Sequence, residues 1–295
     1  MYFIKINQNS KKCKENKKYI IEKESGNKIL NFLYKNSLGR IILKLAVNPT
    51  ISKISGIYND SKISRKKINK FIKTNNIDMN DFIKEEYENF NDFFIRKIKE
   101  NKRPFLSNKN NFISPADSKL TVYKITDDLK LTIKGSTYKL NDLINNEEDL
   151  KEYKNGHCLV FRLSVDDYHH YCYPDSGTLL KKSFIKGKLH TVRSISSDYE
   201  IYKTNQREYS ILKTDNFDEI IYIEVGALMV GKIVNFDKEK FNKGEEKGYF
   251  KLGGSTIVIL VKDNIMKIDE DILEQSKDDI EVLVKYREKI ATKIK

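Results

Sequence analysis

Residues 248–262 read GYFKLGGSTIVILVK, where two glycines and a serine interrupt what otherwise follows the pattern of a β-strand. Glycine weakens the interior of a strand and usually marks a bulge, a bend or a close approach of two backbone segments. A bulged strand is therefore one interpretation of the central Gly253-Gly254-Ser255-Thr256. The other interpretation is chemical, because the hydroxyl of Ser255 is adjacent to the carbonyl group of Gly254, where no side chain hinders attack.

The rest of the chain divides into a helical part and a β-rich part. Before Pro104, apolar residues recur mostly three and four positions apart, which predicts amphipathic helices. Ten of the 13 glycines follow residue 134, and apolar, β-branched runs such as 220–236 and 248–262 predict strands. We therefore expect an α+β fold, with N-terminal amphipathic helices in a basic region (1–103) and a mostly antiparallel β domain (104–295). The first dozen residues are polar and are expected to extend from the body.

The net charge of +13 is concentrated at the N-terminal end of the chain. The first 80 residues contain 18 Lys and Arg but only 5 Asp and Glu, whereas the remaining residues contain 37 of each sign. This distribution predicts a local basic surface for an anionic partner, either a nucleic acid or an anionic lipid membrane. A nucleic-acid-binding function is disfavoured, because the chain contains no recognition motif and its C-terminal part is neutral.

The apolar residues of the basic region favour a membrane surface. Residues 29–57 follow an apolar helical pattern with Lys and Arg among them, and the longest apolar runs, 41–43 and 45–47, are far shorter than the roughly 20 residues that span a bilayer. A basic amphipathic helix suits the interface of anionic lipids, although its apolar face could instead pack on the body of the protein. Three cysteines at irregular spacing, without a secretory signal, predict a reducing compartment. We therefore expect a peripheral protein at the cytoplasmic face of the cell membrane.

Candidate catalytic groups are few, since the chain has only four histidines. A metal site from His169, His170 and Cys172 is disfavoured, because adjacent residues of a strand face opposite sides. The acidic candidate is Asp117, on a proline-initiated turn. With Ser255 these residues suggest an activated hydroxyl, in which His169 is the base and Asp117 orients the imidazole. The serine lacks the Gly-x-Ser-x-Gly elbow of many hydrolases, whereas attack on the neighbouring carbonyl needs no outside substrate.

Seven sequence blocks in a fixed order carry a family resemblance. They are Phe90-Asn91-Asp92-Phe93-Phe94-Ile95-Arg96 with Arg103-Pro104, Ser114-Pro115-Ala116-Asp117, Lys134-Gly135 with Tyr138 and Leu140, Asp167-Tyr168-His169, Asn205-Gln206-Arg207, Val225-Gly226-Ala227 with Val230-Gly231, and Lys243-Gly244-Glu245 through Ser255-Thr256. Together they resemble the phosphatidylserine decarboxylases of the prokaryotic type, a family that uses a pyruvoyl group made from an internal serine. The resemblance covers the chain from about residue 30.

The resemblance implies two successive reactions. In the first, Ser255 attacks Gly254 with the help of His169 and Asp117, and the bond between residues 254 and 255 is cut to leave a pyruvoyl group derived from Ser255. The products are a β chain of residues 1–254 and an α chain of residues 255–295, which stay together as a heterodimer. In the second reaction the pyruvoyl group forms a Schiff base with phosphatidylserine and releases carbon dioxide to give phosphatidylethanolamine. A homodimer of this heterodimer is a further possibility.

Two departures from the family pattern bear on these expectations. The family commonly has a second histidine three positions after its Asp-Tyr-His block, and Cys172 stands there, so the base assignment rests on His169, with His170 as the weaker candidate. Ser118 replaces a glycine that usually follows the block ending in Asp117. The alternatives to this function are a decarboxylase of the same family that acts on another amine, and an unprocessed membrane-bound scaffold without activity.

Overall fold

The computed structural model describes the chain apart from residues 1, 8–9, 16–17, 23–26, 84–85, 106–107, 134–135, 147, 192–200, 228–231, 237, 252, 254 and 295. The helices in this described part are α1 (Asn27–Lys35), α2 (Ser37–Ala46), α3 (Pro49–Asp60), α4 (Ile68–Asn75), α5 (Phe90–Phe94), α6 (Asn141–Ile144), α7 (Ile201–Thr204) and α8 (Glu270–Lys277). Most of them precede the β-rich part, as the spacing of apolar residues predicts.

Asparagine side chains define where the second and third helices begin. The side chain of Asn36 accepts hydrogen bonds from the N–H groups of Leu38 and Gly39 at 3.0 and 3.4 Å, which satisfies donors that the first turn of α2 leaves unpaired. Asn48 does the same for Thr50 at 2.9 Å, and Pro49 begins α3 because its fixed φ suits the first helical turn. A Cβ atom at Gly39 would lie 1.9 Å from the carbonyl oxygen of Phe32, so only glycine lets α1 and α2 pack so closely.

The first three helices turn much of their apolar surface to solvent. Tyr34, Leu43 and Val47 are buried in a small cluster between α1 and α2. The N–H groups of Leu189 and Thr191 donate to the carbonyl of Val47 at 2.9 Å and to the hydroxyl of Tyr34 at 3.0 Å, which attaches this cluster to the rest of the protein. The exposed apolar residues of α1–α3 are Ile29, Phe32, Leu38, Ile41, Ile42, Leu45, Ile51, Ile54, Ile57 and Tyr58. In the described residues no helix is both long and apolar enough to cross a membrane. These helices therefore expose apolar side chains among basic ones.

Antiparallel strands form the rest of the fold. They are β1 (Tyr2–Asn7), β2 (Ser10–Glu15), β3 (Lys18–Glu22), β4 (Asn111–Ile113), β5 (Ser118–Lys124), β6 (Lys130–Ile133), β7 (Ser136–Lys139), β8 (His157–Leu163), β9 (His170–Cys172), β10 (Gly177–Ile185), β11 (Arg207–Thr214), β12 (Glu219–Val225), β13 (Lys232–Asn235), β14 (Lys240–Phe241), β15 (Glu246–Lys251), β16 (Ser255–Val261), β17 (Met266–Ile268), β18 (Ile280–Val284) and β19 (Lys289–Lys293).

The main sheet of the described chain has the order β14-β10-β11-β12-β16-β8-β5-β18-β1-β2-β3. Strand β16 lies in its interior, paired with β12 on one side and β8 on the other. Every residue of β16 is buried, which explains its unbroken apolar run, because a strand covered on both faces does not alternate with polar residues. Smaller sheets have the orders β13-β15-β9, β17-β19-β4 and β6-β7.

The predicted α+β class is confirmed, with differences in detail. Strand β1 and the start of β2 lie within the first dozen residues, which were expected to extend from the body, and β1 adds to the main sheet by pairing with β18. The runs 220–236 and 248–262 each contain two strands rather than one. In the second run Gly253 has φ of +101°, a conformation that L side chains rarely adopt, so the chain changes direction between β15 and β16. The predicted boundary at residue 103 stays a prediction.

Candidate active site

Ser255 is the first residue of the central strand β16. Its register partner on β8 is Leu163, and the next residue, Thr256, is paired with Val225 on β12. The Ser255 side chain is completely buried, and its Oγ has no hydrogen-bond partner among the described residues. A buried hydroxyl normally has a partner, so an unpaired one two positions after the positive-φ Gly253 is an unusual arrangement. Gly254 lies outside the described residues.

His169 lies in the segment that joins β8 to β9, close to the end of β15. Its backbone carbonyl accepts a hydrogen bond from the N–H of Phe250 at 3.0 Å. Its Nδ1 lies 2.8 Å from the carbonyl oxygen of Asp167, and because a carbonyl can only accept, Nδ1 carries the hydrogen. The other ring nitrogen, Nε2, therefore has a free lone pair, and it is buried without a hydrogen-bond partner in the described structure.

The surroundings keep the His169 ring neutral. Burial lowers its pKa to about 3, and the positive charge of Arg96 acts in the same direction, while the carboxylate of Asp167 and the backbone of Gly253 oppose them. Gly253 is near enough to influence the ring, although its geometry is not that of a hydrogen bond. At neutral pH the ring can therefore accept a proton at Nε2, as a general base must.

Asp117 is held by partners other than His169. Its two carboxylate oxygens accept hydrogen bonds from the guanidinium of Arg103 at 2.9 and 2.5 Å, and Oδ1 also accepts from the N–H of Tyr286 at 2.7 Å. The predicted hydrogen bond between Asp117 and His169 is not present among the described contacts, because the carbonyl of Asp167 occupies Nδ1. The role of Asp117 in a reaction stays a prediction.

The two other residues near His169 face different surroundings. His170 contacts Glu246 through Nδ1 and the carbonyl of Ile95 through Nε2, so neither nitrogen is free to act as a base. Burial raises the pKa of Cys172 to about 12, and its thiol lies 3.8 Å from the carbonyl oxygen of Ser114. Cys172 is therefore a neutral thiol in the core and does not substitute for a second basic histidine.

Comparison with known proteins shows the family of the chain. Residues 90–292 match the family model described as phosphatidylserine decarboxylase. The chain belongs to the phosphatidylserine decarboxylase family. A relative from Clostridium acetobutylicum, named phosphatidylserine decarboxylase proenzyme 2, is 54% identical over 276 residues, which cover 93% of this chain and 95% of the relative. Relatives named phosphatidylserine decarboxylase proenzyme come from Clostridium tetani (42% identity over 287 residues, 95% and 97% coverage) and Ruminiclostridium cellulolyticum (42% over 279 residues, 92% and 93%).

In this phosphatidylserine decarboxylase family member, Asp167 was not anticipated from the sequence as a site residue. Its carbonyl fixes the tautomer of His169, and its carboxylate accepts hydrogen bonds from Lys119 Nζ and from the N–H of Ser164, each at 2.7 Å. Burial alone would raise the pKa of Asp167, but the positive charge of Lys119 brings it below its ordinary value. Asp167 is the first residue of the Asp-Tyr-His block, so the sequence indicated that this residue could belong to the site. It did not indicate that the backbone carbonyl of Asp167 would be the group that contacts His169.

Arg96 and Phe94 are the other residues that the sequence analysis did not assign to the site. The ring of Phe94 lies against His169 with centroids 4.2 Å apart. Arg96 Nη2 donates to the carbonyl of Asp166 at 3.1 Å, and the guanidinium carbon lies 4.8 Å from the ring centroid of Phe93. The family block at residues 90–96 thus fastens α5 to the segment that carries His169.

Proposed function

We propose that the chain is a phosphatidylserine decarboxylase proenzyme that cuts its own backbone between Gly254 and Ser255. One observation carries the proposal: among the described residues Ser255 Oγ and Nε2 of the neutral His169 are both buried without a hydrogen-bond partner, and the His169 ring lies near Gly253, two positions before Ser255. A buried polar group without a partner destabilises a fold by about 1–3 kcal/mol, so a fold with no use for these two groups would be less stable because of them. Their arrangement suits a hydroxyl that reacts with the adjacent peptide bond.

The first reaction uses residues of the chain alone. His169 Nε2 accepts the proton of Ser255 Oγ, Oγ forms a bond to the carbonyl carbon of Gly254, and the carbon–nitrogen bond of the peptide breaks. The nitrogen receives the proton back, so the amide becomes an ester and a free amine. Loss of the Ser255 Cα proton then breaks the bond between Cβ and Oγ, so that Oγ leaves with Gly254 as part of a carboxylate and a Cα=Cβ double bond forms at residue 255. Addition of water and loss of ammonia convert the remaining dehydroalanine into a pyruvoyl group at residue 255.

The residues present fit a pyruvoyl group at the first position of β16. This group supplies a ketone that draws electrons from a bound amino acid as carbon dioxide leaves. Burial of Ser255 and the rest of β16 excludes water from that position, and His169 holds a nitrogen that accepts or returns a proton. The substrate we propose is phosphatidylserine, which the names of the relatives give for those proteins.

We propose further that helices α1–α3 lie on an anionic membrane surface. Leu38, Ile41 and Leu45 of α2 are 68%, 61% and 64% exposed, which is unusual for large apolar side chains on one helix. Arg40 and Lys44 are on the same helix, and 18 of the 55 Lys and Arg residues lie in the first 80 positions. An apolar face with basic flanks suits peripheral binding at the boundary between headgroups and acyl chains, and we place it at the cytoplasmic face.

Gel electrophoresis and intact mass measurement test the self-cleavage. The wild-type chain should yield fragments of residues 1–254 and 255–295, the smaller one with a blocked N-terminus. Ser255→Ala should remain uncut, whereas the matched control Thr256→Val, which removes the next buried and unpaired hydroxyl, should be cut. An uncut wild-type chain, or a Ser255→Ala chain that is cut, would refute the assignment of the nucleophile.

Carbon dioxide release and vesicle binding test the substrate and the surface. The cut protein should release carboxyl-labelled carbon dioxide from phosphatidylserine in vesicles but not from free serine, and the reverse preference would indicate a decarboxylase for another amine. In flotation experiments with vesicles of anionic lipids, Ile41→Glu and Leu45→Glu should each weaken binding. Leu180→Glu, which changes a 54% exposed apolar residue on β10, is the matched control and should bind as the wild type does. Equal binding by all of these chains would reject the proposed surface.

A further inference from the structure

His170 follows His169 in sequence, but its ring is built into a different set of contacts. The side chain is 2% exposed. Its Nδ1 lies 2.5 Å from Oε1 of Glu246, and its Nε2 lies 2.8 Å from the carbonyl oxygen of Ile95. Both ring nitrogens therefore face acceptors, which come from two segments that are far from His170 along the chain.

This geometry determines which hydrogens the ring carries. A carbonyl oxygen can only accept, so Nε2 must donate to Ile95. Burial alone would raise the pKa of Glu246, but the hydrogen bond that it shares with His170 and the positive charges of Lys97 and Arg287 bring it below the ordinary value, so Glu246 is ionised. An ionised carboxylate also only accepts, and Nδ1 must donate as well. With hydrogens on both nitrogens, His170 is an imidazolium cation.

The groups around the ring are compatible with a positive charge. Tyr168 stacks on it with centroids 4.9 Å apart and an angle of 15°, and the ring centroid of Tyr249 lies 5.1 Å away. The aromatic faces attract a cation. Of the charged groups, Lys97 Nζ lies 3.8 Å from Oε2 of Glu246, and Arg287 also acts on this carboxylate. Burial raises the pKa of Tyr168 well above its usual range, so this phenol stays neutral.

The imidazolium joins three segments that position the reacting groups. His170 begins β9, directly after His169, and its backbone is paired with Tyr249 of β15. Glu246 begins β15, the strand that leads to the bond at residues 254 and 255. Ile95 follows α5, whose Phe94 lies against the ring of His169. A neutral His170 has one hydrogen fewer, so it must leave either Glu246 or Ile95 without its donor.

We propose that His170 is a positioning residue whose cationic form holds β9, β15 and the end of α5 together, so that self-cleavage requires the ring to be charged. The inference rests on the proposed function, since its readout is cleavage between residues 254 and 255. It assigns His170 no contact with the reacting atoms. It predicts that raising the pH slows cleavage, although the base His169 is already neutral.

The experiment follows cleavage of the full chain after cell-free synthesis, with samples moved to buffers between about pH 5.5 and pH 9 and analysed on gels. As the pH is raised the wild-type rate should fall, by up to about tenfold for each pH unit, as expected when only the chain with a charged ring reacts. His170→Arg retains a cation that can donate to both acceptors and should remove this fall. His170→Gln should be cut slowly at every pH. The NH2 group of glutamine can donate to only one of the two acceptors, and its oxygen, which only accepts, then faces the other one.

Three comparisons separate this inference from general destabilisation and from failure of the proposed function. His157→Gln, which removes a histidine on β8 outside this network, should keep the wild-type pH dependence. Thermal melting of the same substitutions in a Ser255→Ala chain reports whether they unfold the protein. A wild-type rate that is flat or rises with pH, or a His170→Arg chain with the wild-type profile, would overturn the role of His170. Cleavage of the Ser255→Ala chain would instead refute the proposed function.

Discussion

A buried ion pair beside the candidate site provides a stringent test of the packing. Lys247 Nζ on β15 forms an ion pair with Oε1 of Glu224 on β12, and the two side chains are only 3% and 0% exposed. The Lys247 ammonium also donates to Asn235 at 3.1 Å and lies 4.9 Å from the ring centroid of Tyr222. The second oxygen of Glu224 has no partner in the described structure. Removing the ammonium would therefore leave a buried carboxylate without compensation.

We expect Lys247→Met to lower the free energy of unfolding by about 3–5 kcal/mol near pH 8. Burial already raises the pKa of Glu224 above its ordinary value while Lys247 opposes that rise, so the variant should raise this pKa further. The folded chain then binds a proton more tightly than the unfolded chain, and stability should increase as the pH falls, by up to about 1.4 kcal/mol per pH unit. The double variant Glu224→Leu with Lys247→Met should recover most of the loss, because it buries no charge.

Urea denaturation in a Ser255→Ala chain measures these changes without interference from cleavage. The matched control is Lys124→Met, which breaks a surface pair with Asp263 at 3.2 Å whose side chains are 54% and 39% exposed, and it should cost no more than about 1 kcal/mol. A loss below about 1 kcal/mol for Lys247→Met, or a double variant no more stable than the single one, would refute the reasoning.

Three further outcomes follow from the site. Asp117→Asn and Arg103→Gln should slow self-cleavage by similar factors, because each breaks the ion pair between Asp117 and Arg103. Gels measure the rate, and normal cleavage of both variants would show that self-cleavage does not need this ion pair. The pKa of His169 is about 3 in the folded chain and about 6.5 when unfolded, so urea denaturation of the uncut chain should show stability that is complete above about pH 6.5 and falls as the pH is lowered, with a smaller slope in His169→Gln. Cys172, whose pKa burial raises to about 12, should resist alkylation by iodoacetamide at pH 8 until the protein unfolds, and rapid labelling of the native chain would contradict its burial.

Local patterns in the sequence predicted the helices, strands within 220–236 and 248–262, and the α+β class. Each depends on spacing between neighbours in the chain, which a sequence shows directly. The three N-terminal strands were missed because β1 is held by β18, nearly the whole chain away, and nothing in the sequence of β1 identifies that partner. The family resemblance, which the comparisons confirm, predicted the function and the site more specifically than composition did, since its seven ordered blocks include the glycine-serine segment and His169.

The contacts of the candidate site were less predictable than its residues. The tautomer of His169 depends on a backbone carbonyl, and every residue has one, so no side-chain pattern marks Asp167 for this purpose. Asp117 and Arg103 belong to two different family blocks. Their hydrogen bond depends on how the turn that carries Asp117 packs against the end of the helical region, which the sequence does not show. The charge on His170 depends on acceptors 75 and 76 positions away, which only the folded arrangement brings together.

The positions of β16 and β18 give the proposed cut between residues 254 and 255 a consequence for the stability of the molecule. Both strands belong to the fragment 255–295, yet each lies between two strands of the fragment 1–254 in the main sheet. Unfolding of the uncut chain is a first-order event in which every segment stays tethered. After cutting, unfolding releases two molecules, so the tether's high effective concentration is lost and the melting temperature should decrease on dilution. Because the strands of the two fragments alternate in the sheet, a cut protein that unfolds can refold only after its two fragments meet again by diffusion.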